Sequence, residues 1–164
     1  MTEIVPLAPP VGTGVAIEPV DQSSLPHSLR GGVISIGNFD GVHRGHAQLL
    51  SEVRRLADRL GGPAVAVVLD PHPATFLRPD RLPAKLTWLQ QRAERMNAIG
   101  IDYLAICETS PELLKLSAES FFESLIVGQL AAKAVVEGPN FFFGRDRMGD
   151  VAALRSMCEN EDIE

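Results

Sequence analysis

"VISIGNFDGVHRGH", residues 33–46, decides the fold. Val33–Ile36 is a short apolar run that predicts a buried strand. Gly37 lets the chain turn sharply where that strand ends. From His46 onward, Leu49, Leu50, Val53, Leu56 and Leu60 recur at helical spacing until Gly61 and Gly62 stop them. A strand that passes through a glycine-rich turn into a helix aims free N–H groups and the positive helix end at the turn. That is a natural seat for phosphate. Gly41 and Gly45 leave space for a phosphate or a purine ring against the backbone. His43 and His46 are three residues apart and can face one pocket, where an imidazole can donate to a phosphate oxygen that gains charge in a transition state. Two close histidines also suit a metal, but the chain has 4 His and no convincing third ligand.

Beyond this stretch the same alternation repeats. Ala64–Leu69, "AVAVVL", predicts a second buried strand. "DPHPATFLRPDRLPAK" follows, and its prolines predict a long irregular loop of the kind that carries function. Thr87 with Gln90 forms a capping box for a helix carrying Leu89, Ala93 and Met96 and ending at Gly100. Asp102–Cys107 predicts a third strand, Ser117–Leu130 a helix, and Lys133–Glu137 a fourth strand. "GPNFFFGRDRMG" is a loop, and Asp150 caps a last helix. Strand and helix in alternation call for an α/β fold, a Rossmann-like parallel sheet with helices on both faces. Ligands of such sheets sit beyond the carboxyl ends of the strands, where the strand order reverses. The three unusual loops all follow strands and can share that rim. Residues 1–30, rich in Pro, Gly and Ser, predict an extended or partly disordered lead-in ahead of a domain over 31–164.

The totals bound the function. A chain of 164 residues suits one domain, and 45% hydrophobic residues suit a globular one. A net charge of −6 and a pI near 5.2 argue against nucleic acid as a partner. No apolar run reaches the roughly 18 residues of a membrane span, and "MTEIVPLAPP" is not a secretory signal. Cys107 and Cys158 are isolated and fit a reducing compartment, hence a cytoplasmic location. Neither G-x-x-x-x-G-K-[ST] nor a G-x-G-x-x-G after the first strand is present, so two common nucleotide-binding devices are excluded.

Gly37-x-Phe39-Asp40-x-x-His43-x-Gly45-His46 resembles the histidine signature of the nucleotidyltransferase superfamily. With "DPHP" (70–73), "LT" (86–87), "GID" (100–102), "SAESFF" (117–122) and "GPNFFFG" (138–144), the chain is similar to the adenylyltransferase module of bacterial FAD synthetases, the bifunctional riboflavin kinase/FMN adenylyltransferases. The resemblance implies the HIGH-type nucleotidyltransferase fold. It also implies a reaction: the FMN phosphate attacks the α-phosphorus of ATP, pyrophosphate leaves and FAD forms, with Mg2+ neutralising the phosphates. It places His43 and His46 on the ATP phosphates as catalytic residues. Gly37, Asn38, Phe39, Asp40 and Gly45 fall in the ATP site, and Asn140 on the flavin side and the metal.

Phe141, Phe143 and Phe76 are candidates for the isoalloxazine ring, with plain core aromatics as the alternative. His72, Asp70, Arg145 and Arg147 each have a bland reading as loop residues beside a catalytic, metal or phosphate role. Trp88, just inside a helix start, reads as packing. The resemblance also implies a later Ser/Thr-rich motif with a basic residue, and a separate riboflavin kinase domain in the parent protein. Both are missing from a sequence that reaches "SMCENEDIE", so the expectation is a chain truncated at its C-terminus, a naturally short inactive one being the alternative. Two other functions stay open. One is adenylyl or cytidylyl transfer to another small phosphate, which "DPHP…GPNFFFG" disfavours. The other is a nucleotide- or flavin-binding fragment without catalysis.

Overall fold

Short, largely apolar runs buried on both faces form the centre of the molecule. The structure, a computed structural model, describes residues 1–7, 27–81 and 84–164. Strands β1 (Glu3–Leu7), β2 (Val33–Gly37), β3 (Ala64–Asp70), β4 (Tyr103–Glu108) and β5 (Ala134–Val135) make one sheet in the order β1-β4-β3-β2-β5. Every pairing is parallel. Side chains alternate across the sheet. Val33, Ala64, Ala66, Val68 and Leu104 face helices α1 (Arg44–Leu60) and α3 (Leu89–Asn97), which bury Leu50, Val53, Leu56, Ala93 and Met96 against them. A one-turn helix α2 (Ala74–Leu77) lies between these two. Ile34, Ile36, Val65, Val67 and Ala105 face the other way. They meet Leu113 of α4 (Pro111–Lys115), Phe121 of α5 (Ala118–Phe121), and Leu154 and Cys158 of α6 (Val151–Asn160). α5 continues π-helically through Gln129 and adds Leu125 and Ile126 to this core.

This is the expected Rossmann-like architecture. The chain steps from β2 to β3 to β4 in one direction and places β5 on the other side of β2. Strand order therefore reverses between β2 and β5, and a crevice opens there at the carboxyl ends.

Four local expectations change. The lead-in is structured at both ends. Glu3–Leu7 is an edge strand in register with Tyr103–Cys107, a position where a short strand carrying a proline is tolerated. Leu29 is fully buried, and Arg30 donates to the Gln129 carbonyl at 2.7 Å. The rest of the predicted lead-in, residues 8–26, lies outside the described residues. The first helix starts at Arg44, because the Nδ1 of His43 accepts the His46 N–H at 3.3 Å and caps it. The helix start expected at Thr87 falls one residue later, with Gln91 Oε1 accepting the Trp88 N–H at 2.9 Å. The fourth strand is two residues long instead of five.

Candidate active site

The turn after β2 is strained and then pinned. Phe39 (φ 49°) and Val42 (φ 44°) adopt the left-handed region without being glycine, each at a cost of about 1–3 kcal/mol that surrounding contacts must outweigh. Those contacts centre on Asp40. Its carboxylate accepts the N–H of Leu86 at 2.8 Å, the N–H of Thr87 at 2.9 Å and the Thr87 hydroxyl at 2.7 Å. Arg92, only 2% exposed, approaches it at 3.4 Å. Arg92 also donates to the Asn38 carbonyl at 3.0 Å and the Thr87 carbonyl at 3.1 Å. The Gly41 N–H donates to the Thr87 hydroxyl at 2.9 Å, and Arg95 donates to the Gly41 carbonyl. Burial alone would raise the Asp40 carboxyl. The Leu86 and Thr87 donors and the Arg92 guanidinium outweigh it and hold Asp40 down at about 2.

The side chains of Asp40 and Phe39, two residues expected in the ATP site, are engaged within the fold. The Asp40 side chain is engaged by the turn itself. Phe39, 1% exposed, is a core residue whose ring meets His46 edge-on at 5.3 Å. Left-handed backbone at Phe39 is what sends that ring inward. Gly45 makes room for a ring: a Cβ there would stand 3.3 Å from the His43 imidazole.

The two histidines come together as expected. Their rings stack with centroids 3.6 Å apart at the N-terminus of α1. The His43 Nδ1 accepts the His46 N–H, which leaves its Nε2 as the donor. Burial lowers the His46 pKa below its ordinary value. The neighbouring His43 and Arg92 lower it further, and Asp40 opposes them. His46 is therefore mainly neutral at pH 7 and acts as a hydrogen-bonding group rather than a fixed charge. Its Nδ1 is buried without a protein partner.

Gly37 and Asn38, from the same turn, form one wall of a cleft of about 610 Å³. Across from them lie Asn140, Phe141 and Phe143, and the "DPHP" loop closes a further side with His72 and Pro73. Phe143 is buried and stacks on Phe141 at 5.5 Å. Phe142 is half exposed beneath the Arg147 guanidinium, 4.5 Å from its ring centre. Gly144 (φ 72°) is required here, since a Cβ would fall 2.6 Å from the Ala118 nitrogen. Phe76 does not line the cleft. It sits 44% exposed on α2, while its neighbours Leu77 and Arg78 supply that wall. The Nδ1 of His72 accepts the Ala74 N–H at 3.0 Å, which leaves its Nε2 as the donor. Asp70 pairs with Lys85 at 3.4 Å, and Trp88 is 74% exposed rather than packed. Among the described residues no three His, Cys, Asp or Glu side chains gather to hold a metal ion.

Two groups have a larger part than the sequence assigns, Arg92 not being legible there and Glu137 only as an unusual residue before Gly138 that bears on the shape of the pocket. Arg92 is the pivot of the turn, and its only signal was an arginine beside the core positions Ala93 and Met96. Glu137 is the other. Its Oε1 accepts the Ile36 N–H at 2.5 Å and lies 3.5 Å from the Ser35 hydroxyl. Burial pushes its carboxyl up to about 8, although those donors pull it down. A raised acid stabilises the fold fully below its unfolded value near 4.5, and that stability is lost as pH rises through 8. Wild-type melting temperature is thus expected to fall from pH 5 to pH 9, and the Glu137→Gln variant to lose less over the same range. Parallel thermal melts at the two pH values measure it, and equal losses would be contrary.

A parallel doubly wound sheet with a histidine-bearing turn at the helix N-terminus and an aromatic cleft at the strand-order reversal defines a phosphate-handling, nucleotide-binding class of protein. The family model described as FAD synthetase matches residues 25–164. The chain belongs to that family.

Among curated relatives, the bifunctional riboflavin kinase/FMN adenylyltransferase of Pseudomonas fluorescens is 37% identical over 132 residues, which are 80% of this chain and 42% of that protein. The protein of the same description from Escherichia coli K12 is 34% identical over 76% of this chain and 40% of its own length. A putative one from Geobacillus thermodenitrificans is 34% identical over 78% of this chain and 69% of its own. The chain thus spans about two fifths of the first two relatives. A crystal structure described as a macrolide-efflux protein from Streptococcus pneumoniae superposes with a TM-score of 0.75 at 22% identity. It covers 93% of this chain and 46% of that one, and the likeness concerns the fold alone.

Proposed function

We propose that the chain is an FMN adenylyltransferase module, joining the AMP part of ATP to FMN to give FAD and pyrophosphate. The observation that carries this reading is one turn serving two sites. Residues 37–46 place the stacked His43 and His46 at the N-terminus of α1 and supply Gly37 and Asn38 to the aromatic cleft. A triphosphate at the histidines and a flavin between Phe141 and the β2 exit would meet at that turn. The imidazole N–H groups would donate to the ATP phosphates, and the donors would be in place before charge develops. FMN brings its own nucleophile, so the protein has to align two phosphates and need not form a covalent bond.

Mg2+ enters with ATP as part of the substrate. Asn140 at the cleft offers one amide oxygen, which fits an ion that keeps waters and phosphate oxygens in most of its positions. The relatives' descriptions support a riboflavin kinase domain as the companion of this module in the parent protein. Cys107 and Cys158, both buried and free, support a cytoplasmic setting. No helix among the described residues is long and apolar enough to cross a membrane.

The test is FAD formation from FMN and MgATP, followed by chromatography with pyrophosphate release measured alongside. FAD and pyrophosphate in equal amounts are expected. Turnover with another phosphate acceptor but not with FMN would favour a different nucleotidyltransferase.

A further inference from the structure

Residue 137 is a carboxylic acid at the point where two strands part. β5 pairs with β2 only through Ala134–Val135, and its last ladder bond runs from the Val136 N–H to the Ile34 carbonyl at 2.9 Å. Bonds of a parallel ladder recur every second residue. The next β2 donor on that side is the Ile36 N–H, which the backbone of β5 would take if pairing continued. The Glu137 carboxyl oxygen Oε1 takes it instead, at 2.5 Å. A side chain thus replaces one rung of the sheet, and the main chain is free to leave.

The two walls of the cleft diverge at this rung. Ile36, Gly37 and Asn38 continue one wall, and Asn140, Phe141 and Phe143 the other. Glu137 does not itself line the cleft, but it is tied to both walls. Its backbone leads into Gly138–Gly144, and its side chain grips the exit of β2. An apolar residue here would leave the Ile36 N–H with two options. It would bond to the next β5 carbonyl, drawing 138–144 toward β2, or it would open to water and loosen Gly37 and Asn38. Either outcome changes the width of the cleft.

We infer that Glu137 is a positioning residue that holds the β2 and β5 exits apart at the separation the flavin needs. The inference rests on the FMN adenylyltransferase reading. Neither His43 nor His46, at the N-terminus of α1, lines this cleft, so the effect belongs to the flavin more than to ATP.

Glu137→Leu removes the acceptor, and Glu137→Gln keeps an oxygen for the Ile36 N–H. In the Glu137→Leu variant the KM for FMN is expected to rise about tenfold, with the KM for ATP within about twofold of wild type. Glu137→Gln is expected to restore the KM for FMN. The Ile36 amide resonance, measured by NMR without ligand, is expected to move in the leucine variant and to stay near its wild-type position in the glutamine variant. The inference is overturned if the leucine variant binds FMN like wild type, or if glutamine fails as badly as leucine. A wild-type protein that neither binds FMN nor makes FAD would defeat the functional reading. The Ile36 resonance would then still decide whether Glu137 holds the end of the strand.

Discussion

Asp40→Ala is expected to lose about 3–5 kcal/mol of stability, because it leaves the buried Arg92 without its carboxylate. Three hydrogen bonds from Leu86 and Thr87 are lost with it. The strained backbone at Phe39 and Val42 then has little to hold it. The melting temperature should fall by about 10 °C or more. pH gives an independent check. Asp40 sits at about 2 against an ordinary 3.8, so its contribution is present above the ordinary value and is lost as pH falls through 2. Wild type should therefore lose stability between about pH 4 and pH 2 in part through this group, and Asp40→Ala should show a shallower loss there. A variant that melts like wild type would mean that the Thr87–Arg92 pair holds the turn without the carboxylate.

His46→Ala is expected to lower kcat by about 10²–10³-fold, the usual effect of removing one preorganised donor to a transition-state oxyanion. The KM values for ATP and FMN should change little, since a contact that strengthens only in the transition state is absent from ground-state binding. The backbone N–H of His46 still meets His43 in the variant, so the helix cap survives and the fold should melt near the wild-type temperature. Steady-state kinetics beside a thermal melt separate the two effects. A large rise in the KM for ATP with unchanged kcat would make His46 a binding group only.

The features legible in the sequence are those that a local pattern dictates. Val33–Ile36 and Ala64–Leu69 are continuous apolar runs, and Leu50, Val53 and Leu56 recur at helical spacing, so β2, β3 and α1 follow directly. The closeness of the two histidines is legible from their spacing of three, while their stacking depends on the extended backbone of His43 as the helix cap. What depends on distant partners is not legible. Thr87 has the composition of a helix cap, but its hydroxyl is taken by Asp40, 47 positions away, and the cap passes to Trp88. Phe39 and Phe76 are both aromatic and near the motif. One is turned into the core by left-handed backbone, and the other is turned to solvent by a single helical turn. β1 carries a proline and little periodicity, so only its pairing with β4 reveals it. The shortness of β5 depends on the carboxyl group of Glu137 reaching across to β2.

The central claim is transfer of an adenylyl group from ATP to FMN, and following the phosphorus tests it most directly. FMN and the protein are incubated with ATP labelled either at the α- or at the γ-phosphorus, and the flavin product is isolated. Label from the α position should appear in FAD, while label from the γ position should leave in pyrophosphate. Label from the γ position in the flavin, or no label from either in a protein that binds both substrates, would contradict the claim.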